Sequence, residues 1–220
     1  MINLETYEKK YQNGYGIQFP EGHIIRIYNN IIKKYFDINS KEFNFLDFGC
    51  GNGIHSKFFS TKGFNVFGVD ISAEAIELAK INNEKNQENF VVITNNVEIF
   101  DKKFDLILAN QSLYYLDDDE LKSILKQFER ILTDNGIVIF TMMSNKNYYY
   151  DCVEKKFDNG LSKVVLEGRL NETTYINFTE DFEDLKRKFS IFTPIFCGLY
   201  DMTLLEGSSE HLYFIGKKNI

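Results

Sequence analysis

Asp47, Gly49, Gly51 and Gly53 stand at alternate positions in Phe45-Leu46-Asp47-Phe48-Gly49-Cys50-Gly51-Asn52-Gly53-Ile54-His55. Each glycine removes a side chain where a ligand could lie against the backbone. The apolar run before them reads as a buried strand. The residues after Gly53 read as a helix, whose first N–H groups lack intrahelical partners and form its positive end. A strand, a bare bend and a helix start can together grip a small molecule that contains a nucleoside. The spacing excludes two common phosphate-binding loops. A dinucleotide turn needs G-x-G-x-x-G, and Ile54 stands where its third glycine belongs. No G-x-x-x-x-G-K-[ST] occurs either.

A second carboxylate suits the same ligand. Phe64-Asn65-Val66-Phe67-Gly68-Val69-Asp70 alternates and then runs apolar, as a buried parallel strand does. It ends on Asp70, and a carboxylate at a strand tip can accept both hydroxyls of a ribose. Ser72 is placed to cap the next helix, with Glu74 and Glu77 near its positive end and Ile76 and Ala79 facing inward. Asp70 could equally only help that cap, and the residues alone leave both readings open.

The elements that must position these groups follow along the chain. Phe90-Val91-Val92-Ile93-Thr94 is a short β-rich run leading to Asn95-Asn96-Val97-Glu98. Phe104-Asp105-Leu106-Ile107-Leu108-Ala109-Asn110 is a buried strand, followed by Gln111-Ser112-Leu113-Tyr114-Tyr115-Leu116. Asp117 and Glu120 form a capping box, and Leu121, Ile124, Leu125, Phe128, Ile131 and Leu132 share one helical face. The turn Thr133-Asp134-Asn135-Gly136 then leads to a strand over Ile137-Val138-Ile139-Phe140-Thr141. β-runs separated by helical segments predict an α/β, doubly wound parallel sheet. Ligands of such sheets bind at the carboxyl ends of the strands. Asp47, Asp70, Asn96 and Asn110 all fall at predicted strand ends, which points to one shared pocket. Phe189–Thr193 and His211–Gly216 are expected to add two further strands.

Asp47–Gly53 closely resembles motif I of the class I S-adenosylmethionine-dependent methyltransferases, and Asn110–Leu116 resembles motif IV of their small-molecule members. The resemblance implies S-adenosyl-L-methionine as cofactor and S-adenosyl-L-homocysteine as product. It implies cofactor contacts from Asp47, Gly49, Gly51, Gly53, Asp70, Ile71, Asn96, Val97 and Asn110. The family commonly has an acidic residue where this chain has Asn96; an amide oxygen can accept the same hydrogen bond. The implied fold is a Rossmann-like seven-stranded sheet, its last strand antiparallel between the fifth and sixth. It forms a single domain over residues 1–220, with an N-terminal helical cap (1–36) and a lid insertion after the fifth strand (144–180). The motifs are specific only between Phe45 and Phe140.

The regions outside the sheet should choose the substrate. Tyr7, Tyr11 and Tyr15 recur every four residues, and Ile24, Ile25, Tyr28, Ile31, Ile32 and Tyr35 mark an amphipathic helix. Tyr15-Gly16-x-x-Phe19-Pro20-Glu21-x-His23-x-Ile25-Arg26 resembles an N-terminal element of some bacterial small-molecule methyltransferases. By that resemblance Tyr11, Tyr15 and Arg26 reach the cofactor's methionine end, with Arg26 pairing its carboxylate. The tyrosines could equally be packing residues and Arg26 solvated. After the fifth strand, Tyr148-Tyr149-Tyr150, Gly160, Gly168-Arg169 and Tyr175-Ile176-Asn177-Phe178 make an aromatic, turn-rich segment. Thr179 is placed to cap a helix through Phe182, Leu185 and Phe189. The family's lid excludes water and orients the acceptor, so Tyr114, Tyr148 and Tyr175 are the expected substrate contacts. A solvent-facing helical hairpin is the alternative for this segment.

A sulfonium is already an activated methyl donor. A hydroxyl acceptor then needs only alignment and a base. His23 is the first candidate base, with His211 and Glu21 the others; an anionic or free-amine acceptor needs none. The formal net charge of −7 disfavours nucleic acid, which calls for clustered Lys and Arg. Asn110-Gln111 and Met142-Met143-Ser144 lack the oxygen ligands that metal-dependent relatives use, so no metal is expected. Cys50, Cys152 and Cys197 form no C-x-x-C, and Cys50 reads as a small side chain packed under the cofactor. No apolar run approaches a membrane span and no secretory segment is visible, so a cytoplasmic protein without a membrane partner is expected. Abundant Asn, Ile and Lys suggest a bacterial source. The expected activity is metal-independent O-methylation of a small molecule, a nucleotide-linked sugar or phosphorylated surface-glycan precursor. N-methylation of a small amine, a non-catalytic cofactor-binding regulatory module and a nicotinamide oxidoreductase are the alternatives. The oligomeric state is not readable.

Overall fold

The computed structural model describes residues 4–93, 101–168, 171–203 and 207–219. Asn96 and Val97, the expected adenine contacts, lie outside these residues, as does Arg169 of the expected lid. By its internal contacts the chain divides into two compact units: Leu4–Leu108 with Ile131–Gly136, and Ala109–Arg130 with Ile137–Ile220.

In the first unit β1 (Phe43–Phe48), β2 (Phe64–Asp70), β3 (Phe90–Val92) and β4 (Phe104–Ala109, shared at its last residue) pair in parallel. Helices α1 (Leu4–Gln12), α2 (Gly22–Ile27), α3 (Ile54–Ser60) and α4 (Ala73–Asn82) accompany them. All six residues of β4 are buried, as a strand covered on both faces requires. Phenylalanines fill this core. Phe45 stacks on Phe59 at 4.2 Å, and Phe36, Phe43 and Phe64 meet edge to face around them. Cys50 is buried, its sulfur 3.0 Å from where a Cβ on Gly68 would lie, which bears out its reading as a packed small side chain.

In the second unit β5 (Leu132–Met143, entering from the first unit) pairs antiparallel with β10 (His211–Lys218), which pairs antiparallel with β9 (Phe192–Tyr200). The complete order is β3-β2-β1-β4-β5-β10-β9. This is the expected seven-stranded sheet, with the last strand of the chain inserted antiparallel. Helix α5 (Asp118–Ile131) starts on the predicted capping box. The Asp117 carboxylate accepts the N–H groups of Asp119 and Glu120, and Glu120 accepts the N–H of Asp117.

Four boundaries differ from the sequence expectation. The helix over Ile24–Tyr35 breaks into α2, a π-turn (Tyr28–Ile32) and a 3₁₀ turn (Lys33–Tyr35). Strand β5 takes in the expected turn, although the chain doubles back there: a Cβ on Gly136 would lie 2.6 Å from the Leu132 side chain. The sixth strand begins at Phe192 rather than Phe189. Phe189 ends helix α7 (Phe182–Lys188) and packs on Phe140 and Phe214, so its apolar character serves the core from a helix end. The cap of α7 is Asp181, whose carboxylate accepts the N–H groups of Glu183 and Asp184; Thr179 instead bridges to Ser144.

The segment expected to form a lid is neither a turn-rich loop nor a helical hairpin. A short helix, α6 (Tyr148–Asp151), leads into an antiparallel sheet of β6 (Val153–Lys156), β7 (Ser162–Leu166) and β8 (Glu172–Ile176). The alternation of Ser162, Val164 and Leu166 inward against half-buried Lys163 and Val165 is the period of a one-sided sheet. Among the described residues no helix is long and apolar enough to cross a membrane.

Candidate functional site

The glycine bend is held by its own backbone and by Asp70. The N–H groups of Gly49 and Cys50 both donate to the Val69 carbonyl, at 2.8 and 2.9 Å. Gly51 N–H donates to Asp70 Oδ2 at 2.8 Å, and Ser72 N–H donates to Asp70 Oδ1 at 3.0 Å. Asp70 therefore ties β1's loop to β2's tip, while Ser72 caps α4 through Ala75 N–H. Burial pushes the Asp70 carboxyl above its ordinary range, against the pull of backbone N–H groups of Ser72, Gly51 and Ile71. The same group thus serves the helix start and presents a carboxylate to the bend; the two readings of Asp70 are not exclusive.

Gly51 and Gly53 require their residue type. Both have left-handed backbone, φ +53° and +74°. A Cβ on Gly51 would lie 2.5 Å from the Tyr11 hydroxyl, and one on Gly53 would lie 2.9 Å from Ala79 Cβ and 3.0 Å from its Cα. Gly53→Ala is expected to lower stability by about 2 kcal/mol, from backbone strain and overpacking against α4. Thermal unfolding monitored by circular dichroism checks this; an unchanged melting temperature would contradict it.

Asp47 is engaged by the helix that follows the bend. Its side chain is buried, and Oδ2 accepts the Ser56 hydroxyl at 2.8 Å. Burial raises its pKa to about 7, the Ser56 bonds opposing this. Asp47 thereby joins β1 to the first turn of α3, so its effect on a ligand would be exerted through the loop. His55, in the same turn, is also buried, and burial with nearby His23 lowers its pKa to about 4. It is neutral at pH 7, so its Nε2 accepts the Glu21 N–H at 3.4 Å. The Glu21 carboxylate 3.6 Å from Nε2 is then a neighbour and not an ion-pair partner. The two expected bases, Glu21 and His23, both sit at the start of α2 beside His55. Arg26 is exposed near the end of α2. Tyr15 is half exposed, edge to face with Tyr11 at 5.3 Å.

In the second unit the β4 tip carries its own network. Asn110 is buried, and its Oδ1 accepts the Thr141 hydroxyl at 3.4 Å. Gln111 takes left-handed backbone, φ +53°; its N–H donates to Thr141 Oγ1 at 2.6 Å and its Nε2 to the Tyr200 hydroxyl at 3.2 Å. Such backbone in a non-glycine residue is sparsely populated and gathers at functional positions. The Tyr200 ring lies parallel to His211 at 5.1 Å, and Tyr114 lies 5.7 Å from His211 on another side. His211 Nδ1 is 2.7 Å from the Ser209 carbonyl, which can only accept, so Nδ1 carries the proton and Nε2 the basic lone pair. Tyr148 meets Tyr149 at 4.8 Å, and burial with neighbouring Tyr115 and Tyr148 raises the Tyr149 phenol. Tyr175 packs with Phe157 at 6.1 Å. Gln111 and Tyr200 had no local signature in the sequence.

The donor set fits an adenosyl cofactor: a bare backbone bend, a carboxylate at the next strand tip, and a helix start beyond it. Comparisons with known proteins agree. Residues 21–183 match the methyltransferase domain family. A malonyl-[acyl-carrier protein] O-methyltransferase of Hamiltonella defensa is 32% identical over 99 residues, covering 45% of this chain and 37% of that protein. A ubiquinone biosynthesis O-methyltransferase of Pelagibacter ubique is 31% identical over 140 residues, covering 60% and 57%. The chain thus spans only about half the length, or less, of these relatives. The crystal structure of an S-adenosylmethionine-dependent methyltransferase from Methanosarcina mazei superposes with a TM-score of 0.69 at 21% identity, over 87% of this chain and 98% of that one.

Proposed function

The chain belongs to the methyltransferase domain family, as a class I S-adenosylmethionine-dependent methyltransferase, and we propose that it methylates an oxygen atom of a small-molecule acceptor. The observation that carries the cofactor side of this reading is the Asp70 carboxylate tied to the Gly51 N–H. The backbone of Gly49, Gly51 and Gly53 would lie along the cofactor, Asp70 with Ile71 would take its ribose, and Tyr15 and Arg26 would meet its methionine end. Asp47 would support the loop, and Asn110 would hold the β4 tip. Once bound, the cofactor supplies a sulfonium-activated methyl group. What this chain must add is alignment of the acceptor oxygen, exclusion of water and removal of one proton.

The acceptor class remains the nucleotide-linked sugar or phosphorylated glycan precursor. Supporting it, the 144–180 segment pairs cations with aromatic rings. Lys156 Nζ donates to the Tyr150 hydroxyl at 2.6 Å and lies 4.7 Å from the Tyr150 ring centre, and Lys155 lies 4.8 Å from that of Phe157. Such pairs suit a phosphate and a planar or sugar ring together. Tyr114, Tyr148 and Tyr175 are the proposed substrate contacts, and this small sheet the proposed lid. His23 with Glu21 is the proposed base, and His211 is the second candidate because its tautomer is fixed by Ser209. The two relatives are O-methyltransferases by name; their acceptors belong to those proteins.

Incubating the protein with a bacterial metabolite extract and isotope-labelled S-adenosylmethionine, followed by mass spectrometry, tests the reading. A product carrying one labelled methyl on oxygen is expected. A label on nitrogen would favour the small-amine alternative, and no label with intact cofactor binding would favour the regulatory module.

A further inference from the structure

Helix α1 reaches the cofactor bend from outside the sheet, and one carboxylate holds it there. Glu8 Oε1 accepts the Ala73 N–H at 2.9 Å, and Oε2 accepts the Ser72 hydroxyl at 3.0 Å and the Glu74 N–H at 3.4 Å. These donors belong to the first turn of α4, where the N–H groups have no partner within the helix and a negative charge is favoured. The contact joins residues 64 to 66 positions apart in sequence. With α1 so docked, the Tyr11 hydroxyl occupies the space that a Cβ on Gly51 would fill. Beyond α1 the chain passes through Gly14 and Gly16, both at positive φ, with nothing within 4 Å of where a Gly14 Cβ would stand. It is fastened again where Asn52 Nδ2 donates to the Ile17 carbonyl at 2.7 Å. The segment therefore has an anchor at Ile17, a loosely packed link at Gly14 and a contact at Glu8.

We propose that α1 is a strap over the cofactor bend and that Glu8 is its latch: the bond to the start of α4 must open for S-adenosylmethionine to enter or S-adenosylhomocysteine to leave. Glu8 is a positioning residue that acts through Tyr11 and the helix that carries it. The acceptor side of the protein plays no part, so the test needs only the cofactor product. The inference rests on the cofactor lying along Gly49–Gly53.

Glu8→Gln keeps the shape and removes the charge that the N-terminal donors favour. S-adenosylhomocysteine should dissociate about tenfold faster, the scale of one lost charge-assisted contact. Hydrogen exchange of amides in residues 4–12 should rise while those of β1 and β2 stay protected. Should that variant fail to fold, Glu8→Asp shortens the reach and should show the same two changes. Wild-type dissociation and wild-type exchange would overturn the latch; so would faster dissociation with α1 exchange unaltered. Asp70→Ala run beside it separates the two readings. If Asp70→Ala binds weakly and Glu8→Gln behaves as wild type, only the latch fails. If Asp70→Ala binds as wild type does, the placement of the cofactor fails.

Discussion

Asp70→Ala is expected to weaken S-adenosylhomocysteine binding by roughly a hundredfold or more. Two losses add. The ribose hydroxyls would lose a charged acceptor, and hydrogen bonds to charged groups contribute about 1.5–3 kcal/mol each. The Gly51 and Ser72 N–H groups would also lose the acceptor that now fixes the bend and the start of α4. Asp70→Asn separates the two, because its amide oxygen keeps one acceptor for the loop while the charge is gone. It should fall between wild type and alanine. Calorimetric titration measures all three; equal affinity for wild type and alanine would show that Asp70 does not carry the ribose.

Asp47→Asn is expected to reshape the pH dependence of stability. The Asp47 carboxyl titrates near pH 7 in the folded protein because it is buried, and near pH 4 when unfolded. Between these values the folded chain binds the extra proton, so stability falls as pH rises from about 4 to about 7. The whole effect is on the order of 4 kcal/mol. His55 acts in the opposite direction. Its folded value near 4 lies below its ordinary 6.5, so its contribution is complete above pH 6.5 and is lost as pH falls toward 4, by about 3 kcal/mol. In the wild type these two slopes largely cancel between pH 4 and 6.5. Asp47→Asn removes one falling slope and leaves that of Asp70, whose carboxyl burial also raises, against the rising slope of His55, so stability should rise more with pH from 4 to 6.5 than in the wild type. Urea unfolding at stepped pH measures this. A variant profile parallel to that of the wild type would contradict it.

The parts of this fold that were legible in the sequence are those fixed by local chemistry. The alternate glycines ending β1, the aspartate ending β2, and the Asp117–Glu120 box before α5 each announce themselves within a few residues. Their order sufficed for a doubly wound parallel sheet; the antiparallel last strand followed only from the resemblance to the methyltransferases. What was not legible depends on residues far apart. Nothing near Glu8 marks it as a partner for Ser72 and Ala73, because its donors exist only once α4 has formed. Asp47 opens the motif, but its bond to Ser56 on the following helix forms only once that helix packs on β1. The 144–180 segment read as turns because its strands β6 to β8 are short and, among the described residues, pair with one another. Phe189 fitted both the helix face of Phe182 and Leu185 and the start of the next strand, because an apolar residue at a helix end and one in a strand look alike until the core they fill, here Phe140 and Phe214, is known.

In the proposed complex an adenosyl cofactor lies along Gly49–Gly53 with its ribose on Asp70. The crystal structure with S-adenosylhomocysteine bound is the decisive measurement. Both ribose hydroxyls are expected within hydrogen-bonding distance of the Asp70 carboxylate, and the amino-acid end of the ligand beside Tyr11 and Tyr15. An adenosyl group bound elsewhere, with Asp70 still contacting only the Gly51 and Ser72 N–H groups, would contradict it.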